Sequence, residues 1–195
     1  MRTGRLEAFS DGVIAIIITI MVLEIKVPHG HELAELQSLL PVFISYVLSF
    51  IYIGIYWNNH HHMFQAAEHV NGAVLWANIH LLFWLSLVPF ASGWMGENHF
   101  ALWPVVLYGF ILLMNGMAYY ILLRVLIKLH GENSTLGIAI GKDVKGKISV
   151  VIYSIAIALA FVSPWIGLAL YGVVAAMWLI PDTRIEKRLV EKSAE

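Results

Sequence analysis

Long apolar stretches alternate with short polar segments along the chain, and charge or proline marks most of the interruptions. A helix needs roughly 20 mostly apolar residues to cross a bilayer. The first stretch ends where Glu24 and Lys26 appear, Pro28 follows it, and Pro164 and Pro181 interrupt later stretches. The last two stretches are short, so we expect them to pack tightly as a hairpin. The pattern predicts spans at about residues 5–25, 40–57, 70–94, 102–126, 148–162 and 165–180.

Composition points to the same class of protein. Of the 195 residues, 59% are hydrophobic and 13% are charged, and the mean hydropathy is +0.77. A soluble domain is about 45–50% apolar and about 25% charged. The first stretch is longer than the apolar region of a cleaved signal peptide, and no small-residue cleavage site follows it. We therefore predict an all-α membrane protein, with residues 1–195 forming one six-helix transmembrane domain.

Basic residues orient this topology, because Lys and Arg accumulate in short cytoplasmic loops. With six spans and a cytoplasmic N-terminus, only Lys26 of the twelve basic residues lies away from the cytoplasmic side. An odd number of spans would move one of the two large clusters to the opposite face, so both termini are expected to be cytoplasmic. The cytoplasmic set is Arg2, Arg5, Arg124, Lys128, Lys142, Lys145, Lys147, Arg184, Lys187, Arg188 and Lys192.

The first helix presents two different surfaces on a helical wheel at about 100° per residue. Asp11 lies on one side of this helix, away from the most regular stripe. The stripe is aliphatic apart from a single hydroxyl, and it consists of Gly12, Ile16, Thr19, Ile20 and Leu23. Such a stripe is typical of ordinary helix packing, but aliphatic rings can also line a pore and gate it by excluding water. Periodicity alone does not separate these two interpretations.

Asp11 is an ionisable residue near one end of a membrane span. Such residues are costly in lipid, and they usually face protein or water. Asp11 could form a buried structural pair with Arg5 or with a polar group on another helix, such as His60 or His61, or it could serve as a proton relay or an ion site. Its position near the cytoplasmic end of the helix favours the structural interpretation.

The second helix carries a polar face and a run of three histidines. Trp57 and His61 share a strip beside the face formed by Ser45, Ser49, Tyr52, Tyr56, Asn59 and His60. Consecutive helical residues point about 100° apart, so His60, His61 and His62 do not converge on one ion by themselves. No tightly bound metal is therefore predicted.

Enzyme and nucleic-acid functions find no support in the sequence. The chain has no cysteine, its net charge is −1, and it contains no nucleophile elbow or Gly-rich phosphate loop. We predict no cofactor, no catalytic residue and no nucleic-acid partner. The T-V-G-Y-G filter of the usual potassium channels is also missing.

The first helix carries a motif that resembles the signature of the transmembrane protein 175 family of cation channels: Arg5, Phe9, Ser10 and Asp11, followed by Ala15, Ile16 and Thr19. The blocks at 57–61 and 82–90 are similar to that family as well, and the chain length matches its prokaryotic members. The resemblance implies a potassium-permeable, multi-pass channel of the cell membrane. It also implies a homotetramer with the first helix lining a central pore, so the expected partners are other copies of the chain, potassium ions and the lipid bilayer.

The resemblance also implies a role for each residue of the stripe. By position, Ile16 forms the narrow hydrophobic constriction, Thr19 is a pore-facing hydroxyl implicated in selectivity, and Ile20 and Leu23 are further aliphatic layers. Gly12, directly after the aspartate, departs from the family pattern. The residues implied to form a packing network at the inner end are Arg5, Phe9, Ser10, Asp11, Trp57, His60 and His61.

Three other functions are compatible with these residues. A proton-conducting or proton-coupled protein would use Asp11 and the histidines. A membrane-embedded metalloenzyme would use His60 to His62 together with His80. A membrane scaffold would carry no ions at all.

Overall fold

The computed structural model describes residues 3–140 and 143–179, and within those ranges the chain is helical and contains no strand. Part of the basic set that oriented the sequence topology lies outside the described residues, namely Arg2, Lys142 and the cluster between 184 and 192. The helices are α1 (Gly4–Leu23), α2 (Leu33–Ser38), α3 (Leu40–Gln65), α4 (Gly72–Ser86), α5 (Val88–Glu97), α6 (Leu102–His130), α7 (Thr135–Ile140), α8 (Val144–Ala160) and α9 (Pro164–Leu179).

Four helical segments of the described chain are long and apolar enough to cross a membrane: α1, α3, the combined segment Gly72–Glu97 and α6. α9 is a shorter apolar helix. The all-helical membrane architecture predicted from the sequence is confirmed.

The combined segment is not one continuous helix, although the sequence predicted a single span over 70–94. α4 ends at Ser86, and α5 begins at Val88 with Pro89 in its first turn. Proline lacks an N–H donor and disfavours helical geometry in the residue before it, which explains a break within an apolar run. At its start, α4 is capped by Asn71, whose Oδ1 accepts a hydrogen bond from the backbone N–H of Val74 at 3.0 Å.

The second helix continues beyond its predicted apolar span of 40–57. α3 ends at Gln65, so the polar residues from Asn58 to His62 lie in its last turns. α6 similarly continues past the predicted position 126 to His130, and Gly131 follows it with φ +91°. Polar residues at a membrane surface can extend a helix beyond its apolar stretch, and hydropathy does not register that extension.

Small residues bring α3 and α5 into close contact. A Cβ added at Gly96 would lie 2.5 Å from Ser45 Oγ and 2.6 Å from the Cα of Val42. Close to this contact, Ser49 Oγ donates to Ser92 Oγ at 2.8 Å, and Ser92 Oγ donates to the carbonyl oxygen of Ser45 at 3.0 Å. Small side chains and interhelical hydrogen bonds hold helices together where lipid supplies no hydrophobic driving force.

α8 and α9 pack against each other as the expected hairpin. A Cβ added at Gly167 would meet the Cβ of Ala160 at 3.1 Å and the carbonyl oxygen of Ala156 at 3.2 Å, so the two backbones approach closely there. Trp178 Nε1 donates to Ser149 Oγ at 2.8 Å further along the pair. The hairpin packs on α6, whereas α1 packs against α3, α4 and α5.

Candidate functional site

One side of α1 is buried against the rest of the subunit. Its buried residues follow each other at intervals of three or four, which is the spacing of one helix face: Leu6, Ser10, Ile14, Ile17 and Met21. Ile14 is 2% exposed and Ile17 is 4% exposed. Val13 and Ile18 flank these positions and are partly buried against the same core, while most of the remaining side chains of α1 are exposed.

The stripe predicted from the sequence lies on the opposite, exposed side of α1. Ile16 is 58% exposed, Ile20 43% and Leu23 77%, and Gly12 and Thr19 are exposed as well. At its edge, Ile16 and Ile20 line an open groove that α1 forms with Phe90 and other residues of α5, but the side chains of the stripe stay exposed in the described subunit. In a membrane, this face must meet lipid, another copy of the chain or a water-filled pore.

Thr19 places a hydroxyl oxygen on this aliphatic face. Its Oγ1 lies 3.0 Å from the carbonyl oxygens of both Ala15 and Ile16, to which the single hydroxyl hydrogen can donate. Because that hydrogen is directed at the helix backbone, the oxygen lone pairs are available on the exposed side. The arrangement can present an oxygen ligand to a cation.

A buried hydrogen-bond chain joins α3, α4 and α1 near the start of α1. His60 Nε2 lies 2.8 Å from Asn78 Oδ1, and Asn78 Nδ2 donates to Ser10 Oγ at 2.9 Å. Ser10 Oγ in turn donates to the carbonyl oxygen of Leu6 at 2.8 Å. Since the amide oxygen of Asn78 can only accept, His60 Nε2 carries the hydrogen in this arrangement. These hydrogen bonds fix the rotation of α1 relative to α3 and α4.

Asp11 is bonded to a polar group of another helix, as one of the sequence alternatives expected. Its Oδ1 accepts a hydrogen bond from Trp57 Nε1 at 3.0 Å, so the contact to α3 is made by an indole and not by His60 or His61. The Trp57 ring stacks on His61, with ring centroids 6.0 Å apart and planes 15° apart. His61 Nε2 lies 2.8 Å from Gln65 Nε2. The structure thus gathers Ser10, Asp11, Trp57, His60 and His61 at one end of α1.

Arg5 and Phe9 lie on the exposed side of α1, where Phe9 is 57% exposed. The bridging residue is Asn78, which the sequence marks as a polar group of the third helix without indicating its partners. An amide in the middle of an apolar helix was its only signal, and that signal did not reveal which groups it joins.

The histidines do not form a metal site in the described part of the chain. Within residues 3–140 and 143–179, no three His, Asp or Glu side chains are placed to hold an ion together. The buried imidazole of His60 is engaged with Asn78.

An ion pair connects the other ends of α1 and α5. Lys26 Nζ lies 2.6 Å from Glu97 Oε1, with both side chains substantially exposed. Glu97 raises the pKa of the Lys26 ammonium, chiefly through this hydrogen bond. Glu24 lies beside Gly93, where it faces the groove between the two helices.

Comparisons with known proteins decide the family. The family described as endosomal/lysosomal potassium channel TMEM175 matches residues 5–89. A potassium channel of Chryseobacterium sp. (strain P1-3) is 58% identical over 191 residues, which cover 98% of this chain and 100% of that protein. The chain belongs to the TMEM175 family. It is therefore a multi-pass membrane protein of an ion-channel family and not an enzyme.

The fold agrees with this family assignment. The crystal structure of a lysosomal potassium-selective channel TMEM175 homolog from Chamaesiphon minutus matches with a TM-score of 0.80 and 31% sequence identity. The match covers 92% of this chain and 97% of that one. A more distant TMEM175 relative from Danio rerio, named an endosomal/lysosomal proton channel, is 28% identical over 132 residues, and the match spans 24% of that protein.

Proposed function

We propose that this potassium-permeable cation channel is a homotetramer in the cell membrane. In this assembly, α1 of each subunit lines a central pore. In each subunit, residues 1–195 form one domain with six membrane-spanning helices and cytoplasmic termini. The observation that carries the proposal is the exposed stripe on α1. The stripe lies on the other side of the helix from the buried residues that pack on α3, α4 and α5.

Ile16 forms the constriction of this pore. A ring of isoleucine side chains holds no water when it is narrow, and an ion cannot cross a dry aliphatic ring without losing its hydration shell. A small rotation or tilt of α1 widens the ring, and water and ions then enter. Ile20 and Leu23 add further aliphatic layers along the same face.

Thr19 supplies the selectivity in this mechanism. Its hydroxyl oxygen lies one turn from Ile16, and its hydrogen is directed at the α1 backbone. Such oxygens can replace part of the hydration shell of a passing cation. Potassium is larger and less strongly hydrated than sodium, so it exchanges water for these oxygens at a lower cost.

The hydrogen bonds near the start of α1 anchor the pore-lining helix to the rest of the subunit. The bonds from His60 through Asn78 to Ser10, together with the bond from Trp57 to Asp11, hold the start of α1 against α3 and α4. The other end of α1 is joined to α5 by an exposed ion pair. The stripe can therefore move relative to its neighbours while its inner end stays attached.

Thr19→Val tests the pore assignment, because valine keeps the shape of threonine and removes its hydroxyl. Cation flux is measured in proteoliposomes with potassium, sodium and caesium gradients, beside a mass measurement of the oligomer. We expect potassium flux to persist and the preference for potassium over sodium to fall. Ser154→Ala removes another exposed, backbone-bonded hydroxyl, on α8, and should leave the preference unchanged. An unaltered preference in Thr19→Val would contradict the role given to this residue.

Proton conduction is the second candidate, favoured by the name of the Danio rerio relative. In this chain it would use Asp11 and the nearby histidines. Asp11→Asn separates the two functions, because the asparagine Oδ1 can still accept from Trp57 while the titratable carboxylate is lost. A relay through Asp11 predicts that proton flux collapses in a folded tetramer. A structural Asp11 predicts that potassium flux survives.

A further inference from the structure

His130, the last residue of α6, holds the segment between α3 and α4. Its Nε2 lies 3.1 Å from the backbone nitrogen of Glu68 and 3.4 Å from that of His69, and both N–H groups point at it. Its Nδ1 lies 2.9 Å from the carbonyl oxygen of Leu126. The His69 ring packs on the His130 ring, with centroids 4.6 Å apart.

These contacts specify one protonation state of the imidazole. The carbonyl of Leu126 can only accept, so Nδ1 carries a hydrogen. The backbone N–H groups of Glu68 and His69 can only donate, so Nε2 must present its lone pair. A proton on Nε2 and these two hydrogen bonds therefore exclude each other. Protonation would also place a positive charge directly against two N–H dipoles.

We propose that His130 is a regulatory proton-binding site of the channel, and that proton binding there releases the segment 66–71 from α6. The released state is the one that accepts the proton, so acid favours release. Histidine is suited to this role because its charge changes between about pH 5 and 8. The regulatory part rests on the proposed channel function, whereas the release itself does not.

The segment 66–71 connects the two helices that hold the pore helix. α3 carries Trp57 and His60, and α4 carries Asn78, which bonds to Ser10 of α1. Release of the segment between α3 and α4 weakens the attachment of these two helices to α1. The free-energy barrier to widening the ring of Ile16 side chains then falls. Acid on the cytoplasmic side is therefore expected to raise potassium flux.

Other ionisable groups lie on the elements that meet at His130, and the experiment must separate their titration from that of His130. His69 is the nearest of them, because its ring contacts His130 directly. The ionisable residues of the last turns of α3, of segment 66–71, of the end of α6 and the following turn, and of the start of α8, which packs on α6, are His60, His61, His62, Glu68, His69, Arg124, Lys128, Glu132, Asp143, Lys145 and Lys147.

Potassium flux is compared at pH 8 and pH 5.5 on the cytoplasmic side, in wild type and in His130→Gln. Glutamine has an amide oxygen that can accept hydrogen bonds, and it cannot be protonated in this range. We expect wild-type flux to rise by about fivefold or more at acid pH, the lower end of typical coupling between sites, and the rise to disappear in His130→Gln. His69→Gln and His31→Gln, the latter 96% exposed in its side chain and outside the bundle, should keep the rise.

Hydrogen exchange of the Glu68 and His69 amides tests the release without relying on flux or on a variant. In wild type we expect these amides to be protected at pH 8 and to lose protection, relative to other loop amides at the same pH, at pH 5.5. Unchanged relative protection, or an acid response retained in folded His130→Gln, would overturn the inference. A wild type that carries no potassium at either pH would instead refute the channel proposal, and the exchange result would still decide whether His130 releases the segment.

Discussion

Removing the hydrogen bond between Ser10 and Asn78 tests whether this bond holds α1 against α4. Ser10→Ala removes a hydroxyl that donates to the carbonyl oxygen of Leu6 at 2.8 Å and accepts from Asn78 Nδ2 at 2.9 Å. Ser154→Ala is a matched control, because Ser154 donates to the carbonyl oxygen of Val150 at 2.9 Å with the same spacing along its helix. The two substitutions differ in the interhelical bond that only the first one breaks and in burial, because Ser10 is buried and Ser154 is exposed.

The expected difference in the free energy of unfolding follows from the burial of both partners. Ser10 and Asn78 are each 0% exposed, so the Asn78 donor has no water to replace the lost acceptor. Leaving a buried polar group unpaired costs about 1–3 kcal/mol, while interhelical hydrogen bonds within membranes average about 0.6 and reach about 1.7 kcal/mol. We therefore expect Ser10→Ala to destabilise the subunit by about 0.6–2 kcal/mol more than Ser154→Ala, whose effect should stay within about 0.5 kcal/mol.

Reversible unfolding in mixed micelles, followed by helical circular dichroism, measures both variants against wild type. A double-mutant cycle with Asn78→Ala should return a coupling energy of the same size, since both residues share one bond. Equal destabilisation by Ser10→Ala and Ser154→Ala, or a coupling energy near zero, would refute the claim that this bond holds α1 in place.

Three further predictions concern other contacts of the fold. Gly96→Ala should destabilise the subunit by about 1–3 kcal/mol because α3 and α5 must separate, whereas Gly54→Ala, which meets nothing within 4 Å, should be neutral or slightly stabilising in the same unfolding assay. Trp57→Phe, which removes the N–H donated to Asp11 together with part of the ring that stacks on His61, should lower the free energy of unfolding by about 1 kcal/mol, and an unchanged value would show that this bond is dispensable. Lys26→Gln should leave the unfolding midpoint close to that of wild type between about pH 6 and 9. Glu97 raises the lysine pKa above its ordinary value of 10.5, so the ion pair is intact throughout this range and is lost only above it. The pair contributes little to stability because both of its side chains are substantially exposed.

Much of α1 could be predicted from the sequence, because the determinants of its two faces are local. The spacing of Ile16, Thr19 and Ile20 defines one face of a helix whatever surrounds it, and the structure leaves that face uncovered. Hydropathy likewise located the helices, since burial in lipid imposes long apolar runs.

The parts that could not be predicted depend on contacts between distant residues. Asn78 bridges His60 and Ser10 across 18 and 68 positions, and no local pattern announces which groups an isolated amide will join. The choice of Trp57 as the partner of Asp11 depends on how α3 rotates against α1, which periodicity does not determine. Hydropathy also overlooked the break at Leu87, because the residues on both sides of it are apolar.

Flux through Ile16→Asn tests the central claim most directly. Asparagine replaces the hydrocarbon constriction with a side chain that binds water, while Ile155→Asn makes the same change at an isoleucine of α8 that is 48% exposed. Both variants are first shown to assemble with the oligomer mass of wild type, and potassium and sodium fluxes are then measured in proteoliposomes. The account predicts that Ile16→Asn raises flux and changes the potassium-to-sodium ratio, whereas Ile155→Asn changes neither. Wild-type flux and an unchanged ratio in Ile16→Asn would contradict it.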